Sequence, residues 1–314
     1  MYTTISNKFI KAPFSVSLIS APFSGGQGKL GTEYGAEEML KFGLANQIEQ
    51  MGYVVNQLSI EAPENLKPLS EPESGNIKNI QWVSNVCKEL SSKVEQECRA
   101  RSLAITLGGD HSLGIGSLDG SSKAYGDDLC VLWVDAHADI NTFDTTESGN
   151  IHGCPVAVAY RIEKSPIFNW VQNNLRKDRL AYIGLRDIDR EEMKILKDLN
   201  IKVFTMYHID KYGISKVFDM AMEYMNPNLD RPIHLSFDID CLDPIYAPST
   251  GTPVRGGMTS REGHFLCEAI SETGCLVAID LVEVNPRIGD TDSLSITVEM
   301  GCSLIRCAIG ESLL

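Results

Sequence analysis

Two segments of this sequence place acidic and imidazole side chains two residues apart. Asp238 and Asp240 directly follow an apolar run. The same spacing occurs earlier in the chain, at Asp135, His137 and Asp139. In an extended strand, residues i and i+2 point to the same side, so each set would face one spot. Because adjacent carboxylates repel unless a cation lies between them, the spacing indicates metal binding.

Six side chains from three segments are candidate metal ligands: His111, Asp135, His137, Asp139, Asp238 and Asp240. One cation would use three or four of them, so the set suggests two cations that share carboxylates. Oxygen and nitrogen ligands without thiolate favour Mn²⁺, Fe²⁺ or Co²⁺ over a structural zinc, and magnesium seldom takes imidazole. Two metals about 3.5 Å apart can share a water and lower its pKa enough to form hydroxide near neutral pH. The chemistry indicated is hydrolysis.

Each segment also has a simpler interpretation. The Gly-Gly-Asp-His sequence that ends at His111 could be only a turn before a capped helix. The acidic run that ends at Asp243 could be a calcium loop, but an EF-hand needs a glycine and a distal glutamate, and the flanks here are typical of a strand. Asp243 precedes Pro244, which favours a turn former over a ligand. The three segments together favour a metal site.

Further polar residues are candidates for proton transfer and substrate binding. His152 lies among turn formers and could pass protons near neutral pH, although a loop histidine can also be merely exposed. Glu283 ends the last apolar run, where a carboxylate is costly unless it meets a cation such as a guanidinium. Cys154 is disfavoured as a nucleophile because no histidine–aspartate pair is free to serve it.

Other polar residues are candidates for binding the rest of a substrate. Asn141, Ser148 and Asn150 are small and neutral and could hold a carboxylate or an amino group. Asp187 and Asp189 are acidic and could bind an ammonium group.

Short apolar runs alternate with longer stretches of helical pattern. The predicted strands cover residues 15–21, 103–107, 129–135, 180–185, 202–205, 233–238 and 276–284. The predicted helices cover residues 36–51, 79–99, 190–199, 214–225, 260–273 and 293–307. This alternation predicts an α/β fold, with a parallel or mixed sheet covered by helices on both faces. Residues 61–76 are interpreted as a surface loop. No shift in composition marks a boundary, so we expect one domain over residues 1–314.

The polar segments share a position, because each follows or closes a predicted strand. Ligands of open α/β sheets bind outside the carboxyl ends of the strands. Five polar clusters at five strand ends therefore predict one common site.

The composition limits the classes of partner. A net charge of −14 argues against nucleic acid or an anionic membrane surface, and it is compatible either with a cationic small molecule or with a solvated acidic surface. The nine cysteines include no Cys-x-x-Cys pair, which favours free thiols in a reducing compartment. The sequence contains no long apolar run and no recognisable targeting segment. A cytoplasmic enzyme is expected.

The chain resembles the arginases of the ureohydrolase family. The matching segments are residues 108–112, 133–142, 148–153, 236–244, 247–254 and 283–286, and residues 21–31, 152–155 and 306–314 resemble the fungal branch. The resemblance implies a three-layer α/β/α fold of the arginase/deacetylase type with a mostly parallel central sheet. It also implies two Mn²⁺ ions per subunit. Asp135 and Asp238 would bridge the ions, with His111 and Asp139 completing one site and His137 and Asp240 the other.

By the same resemblance, a hydroxide held between the two ions attacks the guanidinium carbon of L-arginine, giving L-ornithine and urea. Asp139 would hold the hydrogen of the hydroxide, His152 would shuttle protons, and Glu283 would orient the guanidinium. The implied substrate-binding residues are His137, Asn141, Ser148, Asn150, Asp187, Asp189, Glu192, Thr252 and Glu283.

Alternatives remain open at this stage. An agmatinase or a guanidinobutyrase would share the metal ligands, and a non-catalytic relative could bind arginine without hydrolysing it. The Arg190-Glu191 pair departs from the small or Pro-Gly dipeptide expected before Glu192, and it adds bulk and charge near the amino-group clamp. A homotrimer is expected by resemblance, with a hexamer as the alternative.

Overall fold

A computed structural model describes residues 7–60, 63–70, 75–172 and 174–311. In this part of the chain, eight strands and ten α-helices alternate. The strands are β1 (Ser15–Ser20), β2 (Val54–Ser59), β3 (Leu103–Leu107), β4 (Cys130–Val134), β5 (Leu180–Leu185), β6 (Lys202–Thr205), β7 (Ile233–Asp238) and β8 (Leu276–Val282). The helices are α1 (Gly35–Lys41), α2 (Leu44–Gln50), α3 (Ile80–Arg99), α4 (Gly114–Tyr125), α5 (Pro155–Ala159), α6 (Arg190–Asp198), α7 (Met206–Tyr212), α8 (Ile214–Met225), α9 (Ser260–Glu272) and α10 (Thr291–Ala308).

The strands form one sheet in the order β2-β1-β3-β8-β7-β4-β5-β6, and every described pairing is parallel. The carboxyl ends of all eight described strands therefore lie along one edge of the sheet. Five strands that precede or carry polar segments, β3, β8, β7, β4 and β5, are consecutive neighbours.

Two hydrophobic cores lie on opposite faces of the sheet. Helices α1, α2 and α7 to α10 contribute to one core, and α3 to α6 contribute to the other. In β4, Leu132 and Val134 belong to the first core, whereas Val131 and Trp133 belong to the second. Strands that are buried on both faces explain the continuous apolar runs in the sequence. The predicted α/β fold, with helices covering both faces of a mostly parallel sheet, is confirmed.

The local differences from the predicted elements have identifiable causes. Strand β2 was not predicted, because it lies at the edge of the sheet and has exposed polar side chains. The helix predicted over residues 36–51 is two helices, since Gly43 has a φ of 98° between α1 and α2. Helix α4 was missed because it is rich in glycine and serine, and the short helices α5 and α7 were missed too.

Other predictions can be compared directly. The predicted loop 61–76 contains a short 3₁₀ helix at Pro63–Leu66, and residues 61–62 and 71–74 lie outside the described part. All nine cysteines, each of which is described, are buried and unpaired. Among the described helices, none combines the length and the apolar character needed to cross a membrane.

Candidate active site

The polar segments meet at the carboxyl edge of the sheet. The segment 135–139 leaves β4, Asp238 ends β7, and His111 follows β3 after a short turn. Glu283 follows β8 directly, and Asp187 and Asp189 lie between β5 and α6. Because these strands are neighbours, side chains that are far apart in the sequence form one cluster.

The first group of candidate ligands surrounds the Nδ1 atom of His111. This atom lies 3.1 Å from Asp135 Oδ2, 3.2 Å from Asp139 Oδ2 and 3.2 Å from Asp238 Oδ2. All four side chains are buried. Nevertheless, His111 Nδ1 makes no hydrogen bond of acceptable geometry to any described residue. A buried ring nitrogen facing three carboxylate oxygens without a hydrogen bond fits a position beside a cation.

The second group surrounds His137. Its Nδ1 atom lies 3.3 Å from Asp135 Oδ1 and 3.2 Å from Asp240 Oδ2. Asp135 therefore offers one oxygen to each group. Asp238 places its Oδ2 atom in the first group, and its Oδ1 atom accepts a hydrogen bond from the backbone N–H of Asp240 at 2.8 Å, as Asp135 Oδ1 does from that of His137 at 2.7 Å. The arrangement fits two neighbouring cations that share Asp135.

The electrostatics of three of the carboxylates support the same interpretation. Burial and the neighbouring Asp135 raise the pKa of Asp139 to about 6. Burial, together with Asp240 and Asp135, raises the pKa of Asp238 well above its usual range. Burial would also raise the pKa of Asp135, but two flanking imidazoles lower it instead. Divalent cations would relieve this repulsion, so the residues present fit a metal pair.

His111 is fixed from two sides. Its ring stacks on Trp133, with 4.1 Å between the ring centroids and 9° between the planes. Its Nε2 atom lies 2.9 Å from Ser236 Oγ, which in turn donates to Asp280 Oδ2. The tryptophan also donates from Nε1 to Asp135 Oδ2 at 3.1 Å. These buried contacts hold the ring with Nδ1 toward the carboxylates.

Glu283 and His152 form a pair next to the first group. Glu283 Oε1 accepts a hydrogen bond from the backbone N–H of His111 at 2.9 Å and lies 3.4 Å from His152 Nδ1. Burial lowers the pKa of His152, but Glu283 outweighs this effect and raises it to about 9. Conversely, His152 lowers the pKa of Glu283 although burial opposes that shift. The pair is charged at neutral pH.

A second polar cluster joins the segment after His137 to the start of α6. Asn141 Nδ2 donates to Asp189 Oδ2 at 2.9 Å. Glu192 accepts from the backbone N–H groups of Ile140 and Asp189, and burial raises its pKa to about 8. Asp189 and Glu192 also form the capping box of α6. Glu192 thus fixes two backbone segments in relation to each other.

A pocket of about 290 Å³ opens beside these groups. The predicted substrate-binding and catalytic residues that line it are His137, Asp139, Asn141, Ser148, His152, Asp187, Asp189, Glu192 and Thr252. Thr252 Oγ1 donates to Asp240 Oδ2 at 2.9 Å. Asn150 and Glu283 are not in the lining; Asn150 Oδ1 accepts from Lys78 Nζ, and Glu283 Oε1 lies 3.4 Å from Nδ1 of the lining residue His152.

The sequence alone did not identify every residue around the pocket. Thr146 and Glu147 line it, and Gln27 donates to Glu283 from a distant loop. The two lining residues could have been suspected from their position between Asn141 and Ser148. Gln27 lies far from Glu283 in the sequence and has no local signal. Arg190 and Glu191, the unexpected dipeptide, are exposed at the start of α6.

An all-parallel sheet between two helical layers, with carboxylates and imidazoles gathered at its carboxyl edge, defines an α/β protein with a candidate dinuclear metal site. A model of the Arginase family matches residues 14–310, and the chain therefore belongs to the arginase family. It is 48% identical to an arginase of Glaciozyma antarctica over 98% of this chain and 91% of that protein.

Solved structures agree with this assignment. The arginase of Bacillus caldovelox superposes with a TM-score of 0.89 at 32% identity, covering 96% of this chain and 100% of that one. The arginase of Entamoeba histolytica, solved in complex with L-ornithine, superposes with a TM-score of 0.84 at 31% identity, covering 95% of this chain and 99% of that one. The predicted resemblance and the fold it implied are confirmed.

Proposed function

We propose that this protein is a manganese-dependent hydrolase that converts L-arginine and water to L-ornithine and urea. The observation that carries the proposal is the pair of ligand groups that share Asp135 beside a polar pocket. Membership of the arginase family and the ornithine complex of a relative support the choice of substrate.

The six predicted ligands would hold the metal pair. We assign His111, Asp135, Asp139 and Asp238 to one ion, and Asp135, His137, Asp238 and Asp240 to the other. Oxygen and imidazole donors without thiolate suit Mn²⁺. When bound, such ions would supply Lewis acidity and would lower the pKa of a coordinated water.

The side chains of the protein bind and orient the guanidinium and transfer a proton. Glu283 is an ionised, buried carboxylate, and its two oxygens match the paired N–H donors of a guanidinium. His152 carries a proton at neutral pH because Glu283 raises its pKa. Its Nδ1 atom faces Glu283, so Nε2 is the nitrogen that gives a proton to the departing δ-amino group of ornithine.

The other end of the substrate meets a mixed neutral and acidic clamp. Asn141, Ser148 and Asn150 offer neutral donors to the α-carboxylate, and Asp187 and Asp189 accept from the α-ammonium. Further support comes from Glu192 and Thr252. Glu192 accepts hydrogen bonds from the backbone that carries the clamp, and Thr252 donates a hydrogen bond to Asp240, a predicted metal ligand.

A comparison of substrates tests this proposal against its alternatives. Agmatine lacks the α-carboxylate, so an agmatinase has no use for the clamp of Asn141 and Ser148. We expect Mn²⁺-loaded protein, with its metal content measured on the same sample, to release urea from arginine much faster than from agmatine. Faster release from agmatine or 4-guanidinobutyrate would favour those hydrolases. No urea from any of them, at full metal content, would favour a non-catalytic arginine-binding protein.

We further propose that residues 1–314 form a single domain, that the protein acts in the cytoplasm and that it assembles as a homotrimer. A hexamer is the alternative assembly. Sedimentation equilibrium would distinguish a mass three times that of the chain from a sixfold mass or a monomer. Limited proteolysis that yields two stable fragments would contradict the single domain.

A further inference from the structure

The loop of residues 23–29 connects three segments of the candidate site, although the sequence assigned it no role. The backbone N–H of Gly26 donates to Asp110 Oδ2 at 2.8 Å, next to His111. The carbonyl of Gly26 accepts from the backbone N–H of His152 at 3.0 Å. Gln27 Nε2 donates to Glu283 Oε2 at 2.7 Å. One loop thus touches the turn before a metal ligand, the proton donor and the guanidinium carboxylate.

The path of this loop is tightly constrained. A Cβ atom on Gly26 would lie 2.5 Å from both Asp110 Oδ1 and Ser112 Oγ. A Cβ atom on Gly109 would lie 2.0 Å from the carbonyl oxygen of Phe23. Since neither position tolerates a side chain without movement, the backbone that carries Gln27 has a fixed place beside the site.

The contact between Gln27 and Glu283 fixes the carboxylate itself. Glu283 Oε1 is already engaged by the backbone N–H of His111 and lies near His152. Within the described residues, the donor to Oε2 is Gln27, whose side chain is buried. Each oxygen thus has its own donor, and the plane of the carboxylate is determined. A carboxylate that must meet the two parallel N–H groups of a guanidinium gains from a fixed plane.

We propose that Gln27 is a positioning residue that holds Glu283 in the orientation needed to bind the guanidinium group. The inference rests on the proposed function, because it assigns Glu283 to the guanidinium of arginine. It goes beyond that function because it assigns a role in substrate recognition to a residue outside the predicted metal ligands and the amino-acid clamp. Gln27 acts through Glu283 and leaves the metal ligands and the amino-acid clamp unchanged.

The test compares Gln27→Met, which keeps the length of the side chain but removes the donor, with Lys29→Met as the matched control. Lys29 lies in the same loop, but its Nζ atom donates to the carbonyl of Gly251. Four quantities are measured on Mn²⁺-loaded protein: kcat/KM for arginine, the inhibition constant of L-norvaline, the metal content and the melting temperature. L-norvaline has the amino-acid end of the substrate and no guanidinium.

We expect Gln27→Met to lower kcat/KM for arginine about tenfold or more, because a hydrogen bond to a charged group is lost. In Gln27→Met, the inhibition constant of L-norvaline should stay within about twofold of the wild-type value, and the metal content should remain full. Lys29→Met should resemble the wild type in all four measurements. An unchanged kcat/KM in Gln27→Met would overturn the inference. Equal losses for arginine and norvaline, or lost metal, would also overturn it by indicating a general structural role. A wild-type protein without urea release would instead refute the proposed function.

Discussion

Asp135 differs from the other candidate ligands because its two oxygens face two different imidazoles. Oδ2 lies near His111, and Oδ1 lies near His137. The spacing of two residues predicted that carboxylates and imidazoles would converge, but it could not say which carboxylate is shared. That depends on the positions that β3, β7 and β4 take in the sheet, which no local pattern encodes.

Substitution of the shared carboxylate should therefore reduce the bound metal content more than substitution of an unshared carboxylate. We expect Asp135→Asn to lose most of both ions, since a neutral amide replaces a charged ligand of each group. Asp240→Asn should retain the ion beside His111, because Asp240 lies only in the group around His137. Elemental analysis after dialysis measures both contents. Equal retention by the two variants would contradict the shared role of Asp135.

In the proposed function, His152 transfers a proton and binds no metal, and its Nδ1 atom faces Glu283. We expect His152→Ala to lower kcat about a hundredfold or more, which is typical for the loss of a general acid. The metal content should remain full. Steady-state urea release and elemental analysis on one preparation check both points. If lost metal accounts for the whole decrease in kcat, the proton-transfer role is wrong.

At the scale of elements, the site depends on close packing beneath the turn that carries His111. Helix α4 follows this turn and packs against α3 through glycines. A Cβ atom on Gly116 would lie 2.3 Å from the carbonyl oxygen of Cys87, and one on Gly120 would lie 2.5 Å from that of Ser91. This helix was not among those predicted from the sequence, because glycine disfavours helices. Close helix contact overrides that preference.

Substitution in this contact should destabilise the fold. Because the two backbones must separate, we expect Gly116→Ala to lower the free energy of unfolding by about 1–3 kcal/mol despite the better helix propensity of alanine. Lys88→Ala, on the exposed side of α3, is the control and should change it by less than about 0.5 kcal/mol. Urea denaturation of metal-free protein measures both. A Gly116→Ala variant as stable as the wild type would show that the helices separate freely.

A buried network between β7, β8 and α4 lies below His111. Asp280 Oδ2 accepts hydrogen bonds from Ser117, Ser236 and His234. Burial raises the pKa of Asp280, but His234 and the hydroxyls outweigh it, so the pKa lies below its usual value of 3.8. A depressed carboxyl pKa stabilises the folded state above the unfolded pKa, and this stabilisation is lost as the pH falls through the folded pKa.

This network gives a pH-dependent difference in stability. We expect Asp280→Asn to be less stable than the wild type by about 1–3 kcal/mol at neutral pH, because a buried ionic hydrogen-bond acceptor is lost. The difference should shrink as the pH is lowered below about 4, because Asp280 of the unfolded wild type takes up a proton there, whereas the folded protein, with its lower pKa, does so only at more acid pH. Urea denaturation of the metal-free wild type and of metal-free Asp280→Asn, from neutral pH to below about pH 4, measures the difference in their free energies of unfolding. A difference that stays constant or grows toward acid would contradict the depressed pKa.

At the scale of the whole molecule, the alternation of apolar runs and helical stretches was enough to predict the fold class. It could not give the strand order, in which β8 lies between β3 and β7 although it is last in the chain. Crossover connections decide that order. Likewise, the contact between Gln27 and Glu283 joins residues 256 positions apart, and only the assembled sheet brings them together.

The net charge left two interpretations open, attraction of a cationic substrate or a merely solvated surface. Apart from the proposed metal ligands and Glu192, whose pKa burial raises to about 8, three carboxylates line the pocket, those of Glu147, Asp187 and Asp189, and they favour attraction. We expect kcat/KM for arginine, which carries a net positive charge, to fall several-fold as salt is raised from about 0.02 to 0.2 M, because the Debye length shortens to less than half. The inhibition constant of L-norvaline, a zwitterion without net charge, should change far less over the same range. Equal salt dependence for both would mean that the acidic surface serves solubility alone.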